Sequence, residues 1–92
     1  GFSYLKHLPV SYLKIDIDFV RDLLANDASR HVVAAVVDLS DRFGLRTIAE
    51  GVEDLDTLEL LGDLGVDLAQ GMVIGAPVPL GEAFGPDQLP RA

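Results

Sequence analysis

Two segments, RFGLRTIAEG (Arg42 to Gly51) and DLGVDLAQG (Asp63 to Gly71), decide the fold because they repeat one pattern. Each passes from the end of a helix through a glycine into a short apolar strand, which ends at a polar residue followed by a second glycine. Short strands that alternate with helices are typical of parallel sheets built from repeated strand and helix units. The repeat therefore predicts an α/β fold with parallel strands at about 45–50 and 66–70.

The residues before this repeat predict one more strand and a helix. Apolar and polar residues alternate in YLKIDI (Tyr12 to Ile17), which indicates a strand. Apolar residues at helical spacing predict a helix from His31 to Phe43, with Ser29 as a possible N-cap. The expected buried stripe of this helix comprises Val32, Val36, Leu39 and Phe43, widened by Val33 and Val37.

Glycines mark where the predicted helices end. A second helix is expected over about 55–64, and Gly44 and Gly65 are expected to stop the two helices in the left-handed conformation. The chain from Gly75 onward is rich in Gly and Pro and predicts an ordered loop, followed by a frayed tail at 81–92.

Composition excludes several classes of protein. The chain has 92 residues, of which 49% are hydrophobic and 24% charged, within the range of one globular domain. With no cysteine, neither disulfides nor thiolate metal sites are available, and no apolar run reaches the ~18 residues of a membrane span. We therefore expect a cytoplasmic segment with no membrane contact.

The net charge of −8 limits the ligands that this chain can bind directly. Its seven Lys and Arg residues are scattered, which argues against contact with DNA or RNA. An acidic chain that handles a phosphate-bearing ligand needs divalent cations between the two. Charge alone also fits a surface that is merely kept solvated.

Polar residues follow each predicted strand at the same end. Glu50 and Gln70 close the second and third strands, and Lys14 and Asp16 lie at or near the end of the first. In parallel sheets, ligands bind beyond the carboxyl ends of the strands. These four residues are therefore expected to face a shared site.

Short motifs in this order resemble a known family. KID (Lys14 to Asp16), AEGVE (Ala49 to Glu53) and AQG (Ala69 to Gly71), preceded by FSYLKHLPV, resemble the C-terminal part of the EAL domain family, bacterial phosphodiesterases that linearise cyclic di-GMP. The resemblance runs from about Phe2 to Leu80. It implies a TIM-like (β/α)8 barrel of which residues 1–92 hold strands six to eight. Such a barrel needs about 250 residues, so this chain is expected to be about its C-terminal third.

The resemblance also implies roles for particular residues. Lys14 matches a lysine of the family that stabilises the scissile phosphate. Glu50 matches a glutamate that holds the metal through water or acts as a general base. Gln70 matches a glutamine that orients water or ligand. Asp16 is either a supporting partner of the site or a carboxylate that caps the following segment. Glu53, with Asp54, is expected to be an acid in the first turn of a helix, with a structural role.

Cofactor and activity follow from the same resemblance. A complete domain would use Mg²⁺ or Mn²⁺ to hydrolyse cyclic di-GMP to linear pGpG. Most metal-binding residues of the family precede the part that this chain resembles, so the chain alone is expected to be inactive and without bound metal. Uncovered sheet edges and apolar surface lead us to expect self-association.

Three functions stay open at this point. The chain is a segment of an active cyclic di-GMP phosphodiesterase, an inactive EAL-like segment that binds the nucleotide or a protein, or a small α/β interaction module without a ligand. Retention of Lys14, Glu50 and Gln70 favours the first.

Overall fold

A four-stranded sheet organises the chain. The structure, a computed structural model, describes residues 11–71 and 75–80. The strands lie in the order in which they occur along the chain; β1, β2 and β3 are parallel, and β4 is antiparallel to β3. The predicted parallel arrangement of the first three strands is thus confirmed. The elements are β1 (Tyr12–Ile15), α1 (Ile17–Arg21), α2 (Asp27–Arg42), β2 (Arg46–Ala49), α3 (Leu55–Asp63), β3 (Leu68–Gly71) and β4 (Gly75–Pro79).

The first strand is shorter than the alternating pattern predicted. It ends at Ile15, because Asp16 is the N-cap of α1 and its Oδ2 accepts a hydrogen bond from Asp18 N at 3.1 Å. Ile17 is therefore the first residue of a helix, and its assignment to the strand was wrong. Over so few positions, an alternating pattern of apolar residues fits either the end of a strand or the start of a short helix. The hydrogen bond of the capping side chain decides in favour of the helix.

The helix α2 begins earlier than predicted. Its N-cap is Asn26, whose Oδ1 accepts hydrogen bonds from Ala28 N at 2.9 Å and Ser29 N at 3.3 Å. Ser29 lies inside the helix instead of capping it. Arg30 donates from Nη1 to the carbonyl oxygen of Leu23 at 2.8 Å, which ties the turn before the helix to its first residues. The prediction of Ser29 as the cap was wrong because Asn26 caps the helix about one turn earlier, so that Ser29 is one of the residues whose N–H group is capped.

The buried face of α2 is also rotated relative to the predicted stripe. Val33 and Val37 are buried, together with Ser29 and Ser40, which are small enough to let the helix approach the sheet. Three members of the predicted stripe are exposed instead, and the fourth, Val36, packs partly buried against the core; the exposed ones are Val32, Leu39 and Phe43. Adjacent valines at 32 and 33 and at 36 and 37 define two overlapping stripes, and the sequence alone does not choose between them.

The fourth strand replaces a predicted loop. Gly75–Pro79 pairs antiparallel with β3, with Ala69 opposite Val78 and Leu68 opposite Pro79. Proline is tolerated here because β4 is the last strand of the described sheet. An edge strand pairs on one side only, so a proline that lacks a backbone N–H can lie with its nitrogen on the unpaired side. The expected frayed tail at 81–92 lies outside the described residues.

A buried apolar cluster joins the sheet to the helices. Gly44 and Gly65 end α2 and α3 with φ of 68° and 92°, as their positions after the helices predicted. The cluster includes residues from β1, β2 and β3 and from all three helices. Its members are Ile15, Val20, Leu23, Val33, Val37, Ala49, Val52, Leu55, Leu58, Leu61, Val66 and Ala69.

A reciprocal hydrogen-bond pair fixes β2 against β3. Thr47 donates from N and Oγ1 to Asp67 Oδ2 at 2.9 and 3.3 Å, and Asp67 N donates to Thr47 Oγ1 at 3.1 Å. The Thr47 side chain is almost fully buried. This Thr47–Asp67 pair lies where the two strands begin and sets the register in which Ile48 faces Leu68 and Ala49 faces Ala69.

Candidate active site

A cavity of about 630 Å³ lies beyond the carboxyl ends of the parallel strands. Its volume is within the roughly 300–1,000 Å³ that small-molecule sites occupy. Residues from α1, from the loop after β2, from the start of α3 and from the end of β3 surround it. They are Ile17, Val20, Arg21, Glu50, Gly51, Glu53, Asp54, Thr57, Gln70 and Gly71.

Glu50 and Lys14 form an ion pair across two neighbouring strands. Glu50 N donates to the carbonyl oxygen of Ile15 at 3.1 Å, which extends the β1–β2 pairing by one residue. Lys14 Nζ lies 3.5 Å from Glu50 Oε1. Glu50 lines the cavity, whereas Lys14 is 61% exposed, is not one of the lining residues and contacts the site through its ion pair with Glu50.

Gln70 lies beside Glu50 because β2 and β3 are in register. Val52 N donates to the carbonyl oxygen of Gln70 at 3.0 Å, and both Glu50 and Gln70 line the cavity. The structure therefore brings Lys14, Glu50 and Gln70 to one end of the sheet, as the sequence predicted. Their catalytic roles remain predictions.

Two glycines allow the backbone of the loop after β2 to pass close to its neighbours. Gly51 has φ of 76°, and a Cβ at this position would lie 2.2 Å from Ile17 Cγ1. A Cβ at Gly71 would lie 2.2 Å from the carbonyl oxygen of Val52. The loop that follows Glu50 is thus held between the first residue of α1 and the last residue of β3.

The two predicted supporting residues, Asp16 and Glu53, have different outcomes. Asp16 caps α1, which agrees with the capping interpretation. Glu53 precedes the N-cap Asp54, whose Oδ1 accepts from Thr57 N at 2.7 Å, and the acid of the first turn is Asp56. The helix α3 begins at Leu55, as predicted, but Glu53 and Asp54 precede its first turn, so their assignment to that turn was wrong.

Sequence reasoning missed the contribution of α1 to the site. Ile17, Val20 and Arg21 all line the cavity and belong to this helix. Their spacing of three and four residues is that of one helix face, and Asp16 ahead of them is a good N-cap residue. These signals were present in the sequence, but Ile17 was assigned to a strand and Val20 and Arg21 were assigned to no element.

The described residues do not form a complete metal site. Within 11–71 and 75–80, no three His, Cys, Asp or Glu side chains group closely enough to hold a metal ion. Glu50 offers one carboxylate at the cavity, whereas Mg²⁺ requires six oxygen ligands. These residues alone thus do not fit a bound divalent cation.

In the same part of the chain, no helix has both the length and the apolar character to cross a membrane.

Parallel strands flanked by helices, with polar residues and a cavity at the carboxyl ends, define a segment of a TIM-barrel-type α/β protein. A match to the EAL domain spans residues 1–77, and the chain therefore belongs to the EAL domain family.

Named relatives agree with this assignment. The chain is 39% identical over 80 residues to the cyclic di-GMP phosphodiesterase PdeB of Shewanella oneidensis, an alignment that covers 87% of this chain and 9% of PdeB. It is 37% identical over 78 residues to the cyclic di-GMP phosphodiesterase PdeL of Escherichia coli, which covers 85% of this chain and 22% of PdeL. The chain thus spans about a fifth or less of the length of these relatives.

Solved structures show the same fold. BlrP1 of Klebsiella pneumoniae, in a complex with manganese and cyclic di-GMP, superposes with a TM-score of 0.68 at 32% identity. The superposition covers 84% of this chain and 20% of BlrP1. The fold expected from the resemblance, part of a TIM-type barrel, is confirmed.

Proposed function

We propose that this chain is the C-terminal segment of a cyclic di-GMP-specific phosphodiesterase, which hydrolyses its substrate to linear pGpG with Mg²⁺ or Mn²⁺. One observation supports the proposal above all. The Lys14–Glu50 ion pair and Gln70 meet at the carboxyl ends of three adjacent parallel strands, beside a cavity large enough for a nucleotide.

Each of the three residues has a chemical task in this proposal. The Lys14 ammonium offsets negative charge that develops on the phosphate in the transition state. The Glu50 carboxylate, held by Lys14 at 3.5 Å, accepts a hydrogen bond or proton from the attacking water. Gln70 supplies a neutral donor and acceptor that orient the water or the phosphate. Divalent cations bound by the complete domain neutralise phosphate oxygens and activate a water.

The experiment uses a barrel chimera, in which residues 1–77 replace the aligned segment of E. coli PdeL. The chimera should convert cyclic di-GMP to pGpG with Mg²⁺ or Mn²⁺, and Glu50→Gln should remove this turnover. Lys14→Ala should lower turnover by about 10²- to 10³-fold, the usual loss for one transition-state donor. Gln70→Ala should cost about tenfold or less, because a neutral group contributes a weaker hydrogen bond.

A matched control distinguishes a role of Glu50 in the reaction from a general effect of removing one negative charge. Glu59→Gln makes the same chemical change on the exposed side of α3, away from the cavity, and should leave turnover unchanged. Glu50→Gln should leave the fold intact, since an ion pair with partners 61% and 34% exposed contributes at most about 1 kcal/mol. Wild-type turnover in Glu50→Gln would contradict the proposed role.

A second function is a nucleotide-binding module without turnover. The described residues bring no three metal-ligating side chains together, so a domain that lacked the remaining ligands would bind nucleotide without turnover. The chimera cannot decide this point, because PdeL supplies those ligands. Binding of cyclic di-GMP without hydrolysis by the protein that contains this chain would favour the binding module over the enzyme.

A further inference from the structure

The cavity has an unusual charge distribution for a site that would receive a diester. Its acidic lining residues are Glu50, Glu53 and Asp54, and Arg21 is the one cationic residue among the lining residues described. Lys14 is already held by Glu50. A ligand with two negative phosphates therefore meets three acidic residues of the loop between β2 and α3 and a single guanidinium from α1.

Arg21 is weakly engaged within the described residues. Its Nη1 lies 3.9 Å from Asp18 Oδ1, and the two side chains are 68% and 81% exposed. A pair so long and so exposed contributes little, and it separates readily when a better acceptor arrives. Arg30 differs, since it donates to two carbonyl oxygens and to Asp27.

The position of Arg21 separates it from the Lys14–Glu50 pair. Lys14 lies on β1, and α1 continues the chain away from the end of that strand, from Ile17 to Arg21. A helix rises about 1.5 Å per residue, so the Arg21 backbone lies about 6 Å beyond that of Ile17 along the helix axis. Arg21 thus lines the cavity from the last residue of α1, whereas Glu50 and Gln70 line it from the strand ends, where the reacting phosphate is expected.

We infer that Arg21 binds the second, non-reacting phosphate of a cyclic dinucleotide held in this cavity; the inference rests on the proposed function. A cyclic dinucleotide has two phosphodiester groups on opposite sides of its macrocycle. When the Lys14–Glu50 end takes the reacting group, the other is directed away from the strand ends. A guanidinium is planar, always charged and able to donate two parallel hydrogen bonds to a phosphate. Arg21 is therefore a residue for substrate affinity and not for the chemical step.

The test compares two substrates in the barrel chimera. Cyclic di-GMP has two phosphates, whereas bis(p-nitrophenyl) phosphate is a diester with only one. Arg21→Gln should raise KM for cyclic di-GMP by about 10- to 100-fold, as expected for loss of a hydrogen bond to a charged group, with kcat nearly unchanged. Turnover of bis(p-nitrophenyl) phosphate should not change, and Arg21→Lys should restore part of the affinity.

The chain offers a closely matched control. Arg42 is 73% exposed and pairs with Asp38 on α2, but it lies at the end of that helix which leads into the start of β2, away from the cavity. Arg42→Gln removes the same charge and should leave both substrates unaffected. Equal KM values for Arg21→Gln and Arg42→Gln would overturn the inference. Equal losses on both substrates in Arg21→Gln would overturn it as well, since they indicate a role at the reacting phosphate or in folding.

A binding measurement keeps this inference distinct from the proposed function. Calorimetric titration of cyclic di-GMP into the chimera and its variants, with Ca²⁺ in place of Mg²⁺, reports affinity without requiring turnover. Weaker binding of cyclic di-GMP by Arg21→Gln, with unchanged binding by Arg42→Gln, supports the inference even where hydrolysis is absent. Turnover by the unmodified chimera with unchanged affinity in Arg21→Gln overturns only the inference. Absence of both binding and turnover in the unmodified chimera overturns the two together.

Discussion

Replacement of Gly51 by alanine tests how the loop that follows Glu50 is held. Gly51 has φ of 76°, and its missing side chain leaves room for Ile17, whose Cγ1 and Cδ1 would lie 2.2 and 2.6 Å from an added Cβ. Two separate costs follow. The left-handed conformation costs a non-glycine residue about 1–2 kcal/mol. Displacement of the Ile17 side chain from its rotamer adds about 0.5–1.5 kcal/mol.

The two costs respond differently to a second substitution. Gly51→Ala alone should destabilise the barrel chimera by about 1.5–3.5 kcal/mol, the sum of the backbone and rotamer terms. In an Ile17→Ala background the new methyl group has space, and only the backbone term of about 1–2 kcal/mol remains. The double-mutant cycle should thus give a coupling of about 1 kcal/mol, with the double variant more stable than additivity predicts.

Thermal unfolding of the four proteins of this cycle provides the measurement. For a domain of barrel size, 1 kcal/mol shifts Tm by roughly 2–4 °C, so Gly51→Ala should lower Tm by roughly 3–14 °C. Gly62→Ala is the control, because a Cβ at Gly62 meets nothing within 4 Å and its φ is not positive. Additive effects of Gly51→Ala and Ile17→Ala would refute the reasoning, since they mean that the side chain of Ile17 does not rest on Gly51.

Further substitutions test other contacts. Gly71→Ala should prevent native packing in the chimera, because its Cβ would lie 2.2 Å from the backbone oxygen of Val52, and loss of soluble protein or of cooperative unfolding checks this. Asn26→Ala should cost about 1 kcal/mol in urea unfolding through loss of the N-cap of α2, whereas Asn26→Ser should cost less. Thr47→Val should cost about 1–3 kcal/mol because Asp67 loses a buried partner, yet KM for cyclic di-GMP should not change. The 92-residue chain alone should self-associate in sedimentation experiments, given its exposed large apolar residues, and a rigid monomer that unfolds cooperatively at high concentration would contradict this.

Much of the fold was available from the sequence because one pattern occurs twice. The helix-ending glycines, Gly44 and Gly65, and the apolar strands after them predicted two βα units, and the structure contains both. Polar residues at strand ends then predicted that Glu50 and Gln70 lie together. This step needed no side-chain detail, since parallel strands in register place their carboxyl ends at one edge.

The errors occurred where a side-chain hydrogen bond decided a boundary. Asp16 ended β1 and began α1, and Asn26 began α2 one turn before the predicted cap, whereas α3 begins at Leu55 as predicted. Periodicity over a few residues fits more than one element, and only the partner of the capping side chain distinguishes them. As a result α1 was missed, and with it the contribution of Arg21 to the cavity.

The Thr47–Asp67 pair gives this segment a property useful for directed evolution. It fixes the register of β2 and β3 where the strands begin, whereas the cavity lies where they end. Residues 17, 21 and 53 line the cavity without taking part in that pair. A combinatorial library at these three positions would therefore sample new ligand preferences on a scaffold whose strand alignment is set elsewhere, so that most members should still fold.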